Sequence, residues 1–203
     1  MEPDPVVPEP YGPIVLKLPP AVPLTDDVFF ELCALNNDLR IELSARGDVE
    51  LMAPTGGTTG NRNGRIFIRL GIWAESEGSG EAFDSSTGFK LPNGAVRSPD
   101  GAWVLKSRWE TLSHEEQEGV PSINPDFVIE LRSPSDPLRL AMAKMEEYME
   151  NGVRLGWLID RLDRRRRVYI YRPNTPVEIL EAPESISGDP ELPGFTLELT
   201  PIW

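Results

Sequence analysis

Two acids, Asp100 and Glu130, stand where a folded chain seldom leaves a charge. Glu130 lies inside Asn124-Pro125-Asp126-Phe127-Val128-Ile129-Glu130-Leu131-Arg132-Ser133, a run that otherwise reads as a buried β-strand. Asp100 follows Ser98-Pro99 and directly precedes another apolar stretch, Gly101-Ala102-Trp103-Val104-Leu105. Carboxylates borne by separate strands suit a hard divalent cation, which takes oxygen ligands and activates phosphate esters towards water. Alternate strand residues share a face, so Arg132 is expected beside Glu130 as a cation that meets phosphate. Asp126 is a competing acid on the same face, but it is about 13 Å along its own strand from Glu130. Acids converging from different elements make the better site, so Asp100 is preferred and Asp126 is assigned to a loop end.

The rest of the inventory excludes more chemistry than it adds. The only histidine is His114, set among Glu115, Glu116 and Glu118, and the only cysteine is Cys33. One subunit therefore assembles neither a zinc cluster nor a disulfide, and a Ser-His-Asp relay would depend on a histidine hemmed in by acids. There is no P-loop, no Gly-x-Gly-x-x-Gly after a strand and no Cys-x-x-Cys. The N-terminus has no signal-peptide pattern, and no apolar run is long enough to span a bilayer, so a cytoplasmic protein without membrane attachment is expected. The net charge of −13 argues against indiscriminate nucleic-acid binding. Five arginines, Arg161 and Arg164 to Arg167, run against that balance and form either a local basic edge or a solvated turn.

The elements that must carry these residues can be read in outline. Residues 1–23 form a proline-rich arm in which neither a continuous helix nor a central strand fits, and residues 24–203 are expected to make one domain. A short helix starts at Thr25 and stops at Asn36-Asn37, and two alternating segments, Arg40–Leu43 and Val49–Ala53, make an antiparallel hairpin. The apolar spacing of Ile66, Leu70, Trp73 and Ala74 predicts a helix over 61–77. Short strands follow around Ala82–Ser85, Gly88–Leu91 and Ala102–Leu105. A further helix opens with Asp136 as cap and Pro137 as its first residue, and closes at Asn151-Gly152. Strands at Leu155–Asp160 and Arg167–Tyr171, and a docking strand in Phe195–Leu199, complete the chain.

Several stretches, in this order, carry a family resemblance: Glu50–Pro54, Thr87–Leu91, Ser98-Pro99-Asp100, Pro125–Asp136, Lys144–Tyr148, Gly152-Val153, Trp157–Asp160 and Leu192–Phe195. Together they resemble the PD-(D/E)XK nuclease superfamily, and within it a widespread bacterial family of restriction-endonuclease-like proteins, numerous in cyanobacteria and of unknown function. The resemblance implies an α/β restriction-endonuclease-like fold, a central mixed sheet flanked by helices with an N-terminal β-hairpin. It implies Mg²⁺ or Mn²⁺ held by Asp100 and Glu130. The chain departs from the superfamily pattern at the third position, where Arg132 replaces lysine, and a guanidinium does not replace a compact ammonium. Lys144 is the substitute: a lysine in the helix after the glutamate strand recurs in the family. Leu140, Ala141 and Tyr148 around it place it on the margin of an inner helix face, where the alternative is a lysine snorkelling along an apolar edge. Glu50 is a subsidiary candidate that either approaches the metal or faces solvent.

The expected function is metal-dependent hydrolysis of phosphodiester bonds in DNA by Asp100, Glu130, Lys144 and Arg132. The alternative is a nuclease fold that has lost efficient chemistry and serves as a binding or interaction module, which Arg132 and the acidic surface would favour. A homodimer is a further expectation, since cutting a duplex on both strands takes two sites.

Overall fold

The computed structural model describes residues 12–19 and 24–203; the remainder of the proline-rich arm lies outside them. The described chain runs β1 Ile14–Leu16, α1 Asp26–Leu35, β2 Arg40–Leu43, β3 Val49–Met52, α2 Gly57–Glu77, β4 Gly80–Asp84, β5 Phe89–Lys90, β6 Val96–Arg97 and β7 Gly101–Leu105. It continues with α3 Lys106–Trp109, α4 His114–Glu118, β8 Phe127–Leu131, α5 Leu138–Glu150, β9 Leu155–Asp160, β10 Arg167–Tyr171, β11 Glu178–Glu181, β12 Ser185–Ser187 and β13 Thr196–Glu198.

A six-stranded sheet in the order β11-β10-β9-β8-β7-β4 forms the centre. All its pairings are antiparallel except β8 with β9, which are parallel. Parallel neighbours need a crossover, and α5 supplies it. One face of the sheet presents Phe127, Ile129, Trp157 and Ile159 to Ile66, Leu70 and Ala74 of α2 and to Phe195, Leu197 and Ile202 near the C-terminus. Trp157 stacks on Phe195 there, with ring centroids 5.6 Å apart. The other face presents Val128, Leu158 and Tyr169 to Met145 and Tyr148 of α5. Glu130 has the parity of Val128 and so belongs to the α5 face.

A second, five-stranded sheet in the order β1-β3-β2-β6-β5 grows from the expected hairpin. Its alternation is amphipathic: Ile41, Leu43, Val49 and Val96 pack with Phe29 of α1, while Glu42 and Arg97 project on the other side. Three residues of the arm, Ile14–Leu16, add an edge strand to β3, a position that flanking prolines tolerate.

Two element boundaries differ from the sequence reading. α2 starts at Gly57 and not at 61, because Thr59 is buried and accepts a hydrogen bond from Arg161 (3.0 Å), a tertiary anchor that outweighs the low helix propensity of the glycines. α5 starts at Leu138 with Pro137 in the cap position. Asp136 does not cap it but turns back, accepting from the Ser133 amide (2.9 Å) and hydroxyl (2.6 Å), and so closes the loop after β8. Among the described residues no helix is long and apolar enough to cross a membrane.

Gly101 fixes the spacing of β7 against β8, since a Cβ there would lie 2.9 Å from Ile129 Cγ2. Gly101→Val is expected to cost about 1–3 kcal/mol by overpacking, read as a lower urea midpoint; an unchanged midpoint would show that the two strands part freely at this point.

Candidate functional site

The ladder between β7 and β8 pairs Trp103 with Phe127, Ala102 with Val128 and Gly101 with Ile129. One step further along the same register sets Asp100 across from Glu130, on the α5 face. Directly opposed residues of this kind have Cβ atoms roughly 4.5–5.5 Å apart. Asp100 is 8% exposed and is held from two sides. Its Oδ2 accepts the Leu131 amide (2.8 Å) and its Oδ1 accepts the Asn63 amide group of α2 (2.9 Å), with Arg40 Nη1 3.7 Å away.

Glu130 meets α5. Lys144 Nζ lies 2.9 Å from Glu130 Oε1, and the Tyr148 hydroxyl donates to the same oxygen (3.1 Å). Lys144 and Tyr148 are one turn apart, so a single helix face delivers both. The crossover from β8 through α5 to β9 lays that face over the strand that bears Glu130.

Lys144 has a second partner, Glu42 of β2, at 3.0 Å. Glu42 is 1% exposed and also accepts from the Ser98 amide (3.1 Å) and Arg97 Nη1 (3.2 Å). Arg97 reaches Glu50 (2.6 Å) and, through Nε, Glu147 of α5 (2.6 Å). Glu42 and Glu50 are register partners on adjacent strands, a like-charge pair that would repel without the guanidinium set against both. Arg40 adds a hydrogen bond to the Ser98 carbonyl.

These neighbours decide the protonation states. Burial pushes Glu130 up, and Asp100 and Glu42 push it further; Lys144 and Arg40 oppose them, and the result is about 7. Asp100 is also raised by burial, although Arg40, the Leu131 amide and Lys144 pull against the rise. Glu42 goes the other way: burial would raise it, but Lys144, Arg97 and Arg40 together hold it below the ordinary range. Burial alone would lower Lys144, yet Glu130 and Glu42 keep it above its usual value, so it is an ammonium and not a base. Burial and the neighbouring carboxylates hold Tyr148 well above the usual phenol range, leaving it a donor.

The donor set fits a hard divalent ion. Asp100, Glu130, Glu42, Glu50 and Glu147 are five carboxylates against three cations, Arg40, Arg97 and Lys144, which leaves two negative charges in excess when all are ionised. Asn63 Oδ1, beside Asp100, is a buried oxygen with no hydrogen-bond donor. Among the described residues no three His, Cys, Asp or Glu side chains form a ready-made metal cluster. Magnesium needs none, as it is commonly held by one or two carboxylates and otherwise keeps its waters.

Sequence reasoning named Asp100, Glu130 and Lys144, and the fold brings these three together. It also named Arg132, which the fold takes elsewhere: Arg132 lies beyond the end of β8, its Nη1 is 3.0 Å from both Asp160 oxygens, and its Nε donates to the Asp136 carbonyl (2.9 Å). The expected contact between Arg132 and Glu130 is replaced by this pairing, because strand alternation ends where β8 ends. Glu50 does not face solvent; it is bound to Arg97 and linked to Lys144 through Arg97 and Glu42. Asp126 sits at the far end of β8, accepting the Leu105 amide (2.9 Å) and pairing with Arg108 (2.8 Å). Glu42, Arg97, Tyr148 and Asn63 were missed. An acid between Ile41 and Leu43 was the only available signal for Glu42, and it reads equally well as a solvent-facing strand position.

Residues 26–200 match the profile of Uma2, described as "Putative restriction endonuclease". The chain belongs to the Uma2 family. No curated protein sequence matches it. A crystal structure titled as a putative nuclease belonging to DUF820, from Anabaena variabilis, superposes with a TM-score of 0.72 at 19% identity, covering 89% of this chain and 97% of that one. At that identity the likeness speaks for the fold, a mixed α/β restriction-endonuclease-like architecture with helices flanking the sheet. Uma2 membership makes a nuclease-like function the family's reading, and nucleases of this superfamily usually work with a divalent metal.

Arg97 is the pivot of the buried charges. Arg97→Met is expected to cost about 3–5 kcal/mol, the usual loss when one partner of a buried ion pair is removed, and adding Glu50→Gln should restore part of it; urea titration of the single and double variants reads both, and an Arg97→Met protein as stable as the wild type would refute the pivot.

Proposed function

We propose that this Uma2 protein is a metal-dependent endonuclease that hydrolyses phosphodiester bonds of DNA, with Asp100 and Glu130 as metal ligands and Lys144 as the catalytic cation. The observation that carries the proposal is the Lys144 ammonium, seated 2.9 Å from Glu130, which stands across from Asp100 at the end of the β7–β8 ladder. A divalent ion held by these carboxylates would supply Lewis acidity to the phosphate and lower the pKa of an attacking water.

The protein's own groups then have separate tasks. Asn63 and the Leu131 amide keep the Asp100 carboxylate from rotating. Tyr148 donates to Glu130 Oε1 and thereby orients that carboxylate. Lys144, kept protonated by two acids, presents positive charge where negative charge accumulates on the phosphoryl oxygens, a preorganised donor that needs no rearrangement during the reaction. Glu42 is a positioning residue, which fixes the ammonium from behind. Arg132 is assigned a structural task, tying the end of β8 to Asp160 on β9. A binding role without turnover would leave the same pocket in place, and cleavage by the wild-type protein removes that reading.

Supercoiled plasmid incubated with Mg²⁺ or Mn²⁺ should be nicked and linearised. Asp100→Asn, Glu130→Gln and Lys144→Met should each lower the rate by about 10²–10³-fold, the loss typical of a removed charge-stabilising group. Rates equal to the wild type in all three would end the proposal.

Glu130 must lose its proton to hold the ion, and its value near 7 puts that competition in the neutral range. Calorimetric titration with Mn²⁺ should therefore show affinity falling roughly tenfold per pH unit below 7 and levelling off above it; affinity flat between pH 6 and 8 would separate Glu130 from the ion.

A further inference from the structure

The protein carries a large negative charge, yet α2 has no acid before Glu75. In the same stretch Arg62, Arg65 and Arg69 stand at i, i+3 and i+7, which puts them on one flank of the helix. Among the described residues none of the three forms an ion pair with an acidic side chain. Arg62 donates to the main-chain oxygens of Ile202 (2.6 Å) and of Trp203, the last residue (2.9 Å), Arg69 donates to the Arg65 carbonyl (3.0 Å), and Arg65 is exposed. Arg161, at the end of β9, is aimed at the first turn of this helix by its hydrogen bond to Thr59. Burial lowers the Arg161 pKa and the nearby Arg62 lowers it further, against the opposing pull of Asp160.

Several basic groups elsewhere are matched by acids. Arg165 and Arg167 of the arginine-rich turn pair with Glu181 on β11 (3.1 and 3.3 Å), so their charge is met within the protein. A row of arginines without acidic side-chain partners lies along α2, whose Asn63 touches Asp100. The helix surface near that end is low, since a Cβ at Gly57, Gly60 or Gly64 would meet nothing within 4 Å.

We propose that the flank of α2 formed by Arg62, Arg65 and Arg69, extended by Arg161, is the surface on which the phosphate backbone of duplex DNA lies as it enters the site. The inference rests on the nuclease reading for its substrate, but its physical basis is separate: a row of guanidiniums without acidic side-chain partners on an acidic protein selects a polyanion, and each phosphate it neutralises releases counterions. The exposed Ile68 and Ile72 lie beside this row on the same helix and can meet the sugars.

The test is binding of a fluorescent duplex to the full chain in EDTA, followed by anisotropy across a salt series. Arg65→Glu combined with Arg69→Glu should weaken binding roughly tenfold or more and lower the slope of log affinity against log salt by about two, one for each phosphate no longer neutralised. Arg46→Glu combined with Arg164→Glu, an equal charge change at exposed positions outside α2, should leave both nearly unchanged. Equal losses in the two double variants, or no binding by the wild type at low salt, overturn the proposal. Plasmid cleavage distinguishes the two readings. An α2 variant that cleaves with unchanged KM defeats this surface but not the nuclease, whereas selective loss of binding in a protein that never cleaves does the reverse.

Discussion

Burying charge is tolerable only when the opposite charge is buried with it, and the space between the two sheets is governed by that requirement. Five carboxylates and three cations meet there, and no single pair is self-sufficient. Lys144 answers to Glu42 on one sheet and Glu130 on the other; Arg97 answers to two strands and to α5. The network therefore has a structural role, tying β2, β3, β6, β8 and α5 together, while it keeps an ammonium and a raised carboxyl in contact. Its imbalance is as informative as its pairings: with negative charge in excess, Glu130 and Asp100 are relieved most directly by either a proton or a cation.

Backbone geometry explains why these groups coincide. The antiparallel register of β7 and β8 leaves Asp100 and Glu130 opposed just where the ladder ends, so their side chains leave the sheet together. The parallel step from β8 to β9 cannot be made by a turn, and the helix it demands comes down over the same sheet face. Two side chains one turn apart on that helix then fall on Glu130. The apolar packing on the reverse face, where Trp157 stacks on Phe195 and α2 buries Ile66 and Leu70, holds the sheet against α2 and lets Asn63 reach Asp100 from that side.

Arg132 and Lys144 divide two tasks that differ in the shape of charge they need. Arg132 has a planar fork, and Asp160 with the Asp136 carbonyl uses it to tie two strands. A compact ammonium serves better beside a phosphate, and in the proposed site that ammonium is Lys144 of the helix. The same division shows in the arginines as a whole. Arg165 and Arg167 in the turn after β9 are engaged by Glu181 and Asp163, whereas those of α2 have no acidic side-chain partner among the described residues.

Much of the architecture was legible in the chain alone, because it depends on local rules: apolar periodicity for α2 and α5, alternation for the hairpin, Asn151-Gly152 as a helix stop, and an acid inside an apolar strand as the mark of a site. Asp100, Glu130 and Lys144 could be named since each breaks or borders a local pattern. Only the tertiary structure could decide the rest. Whether Glu42 faces water or lies beneath Lys144 depends on a second sheet packing over the first, and neither sheet's sequence records the other's position. Arg132 looked like Glu130's neighbour because strand alternation was extended one residue past the end of the strand. Long-range partners choose among the rotamers and burial states that a short sequence window leaves equally open, and buried charge, whose energy depends on every neighbour at once, is the quantity such a window represents least.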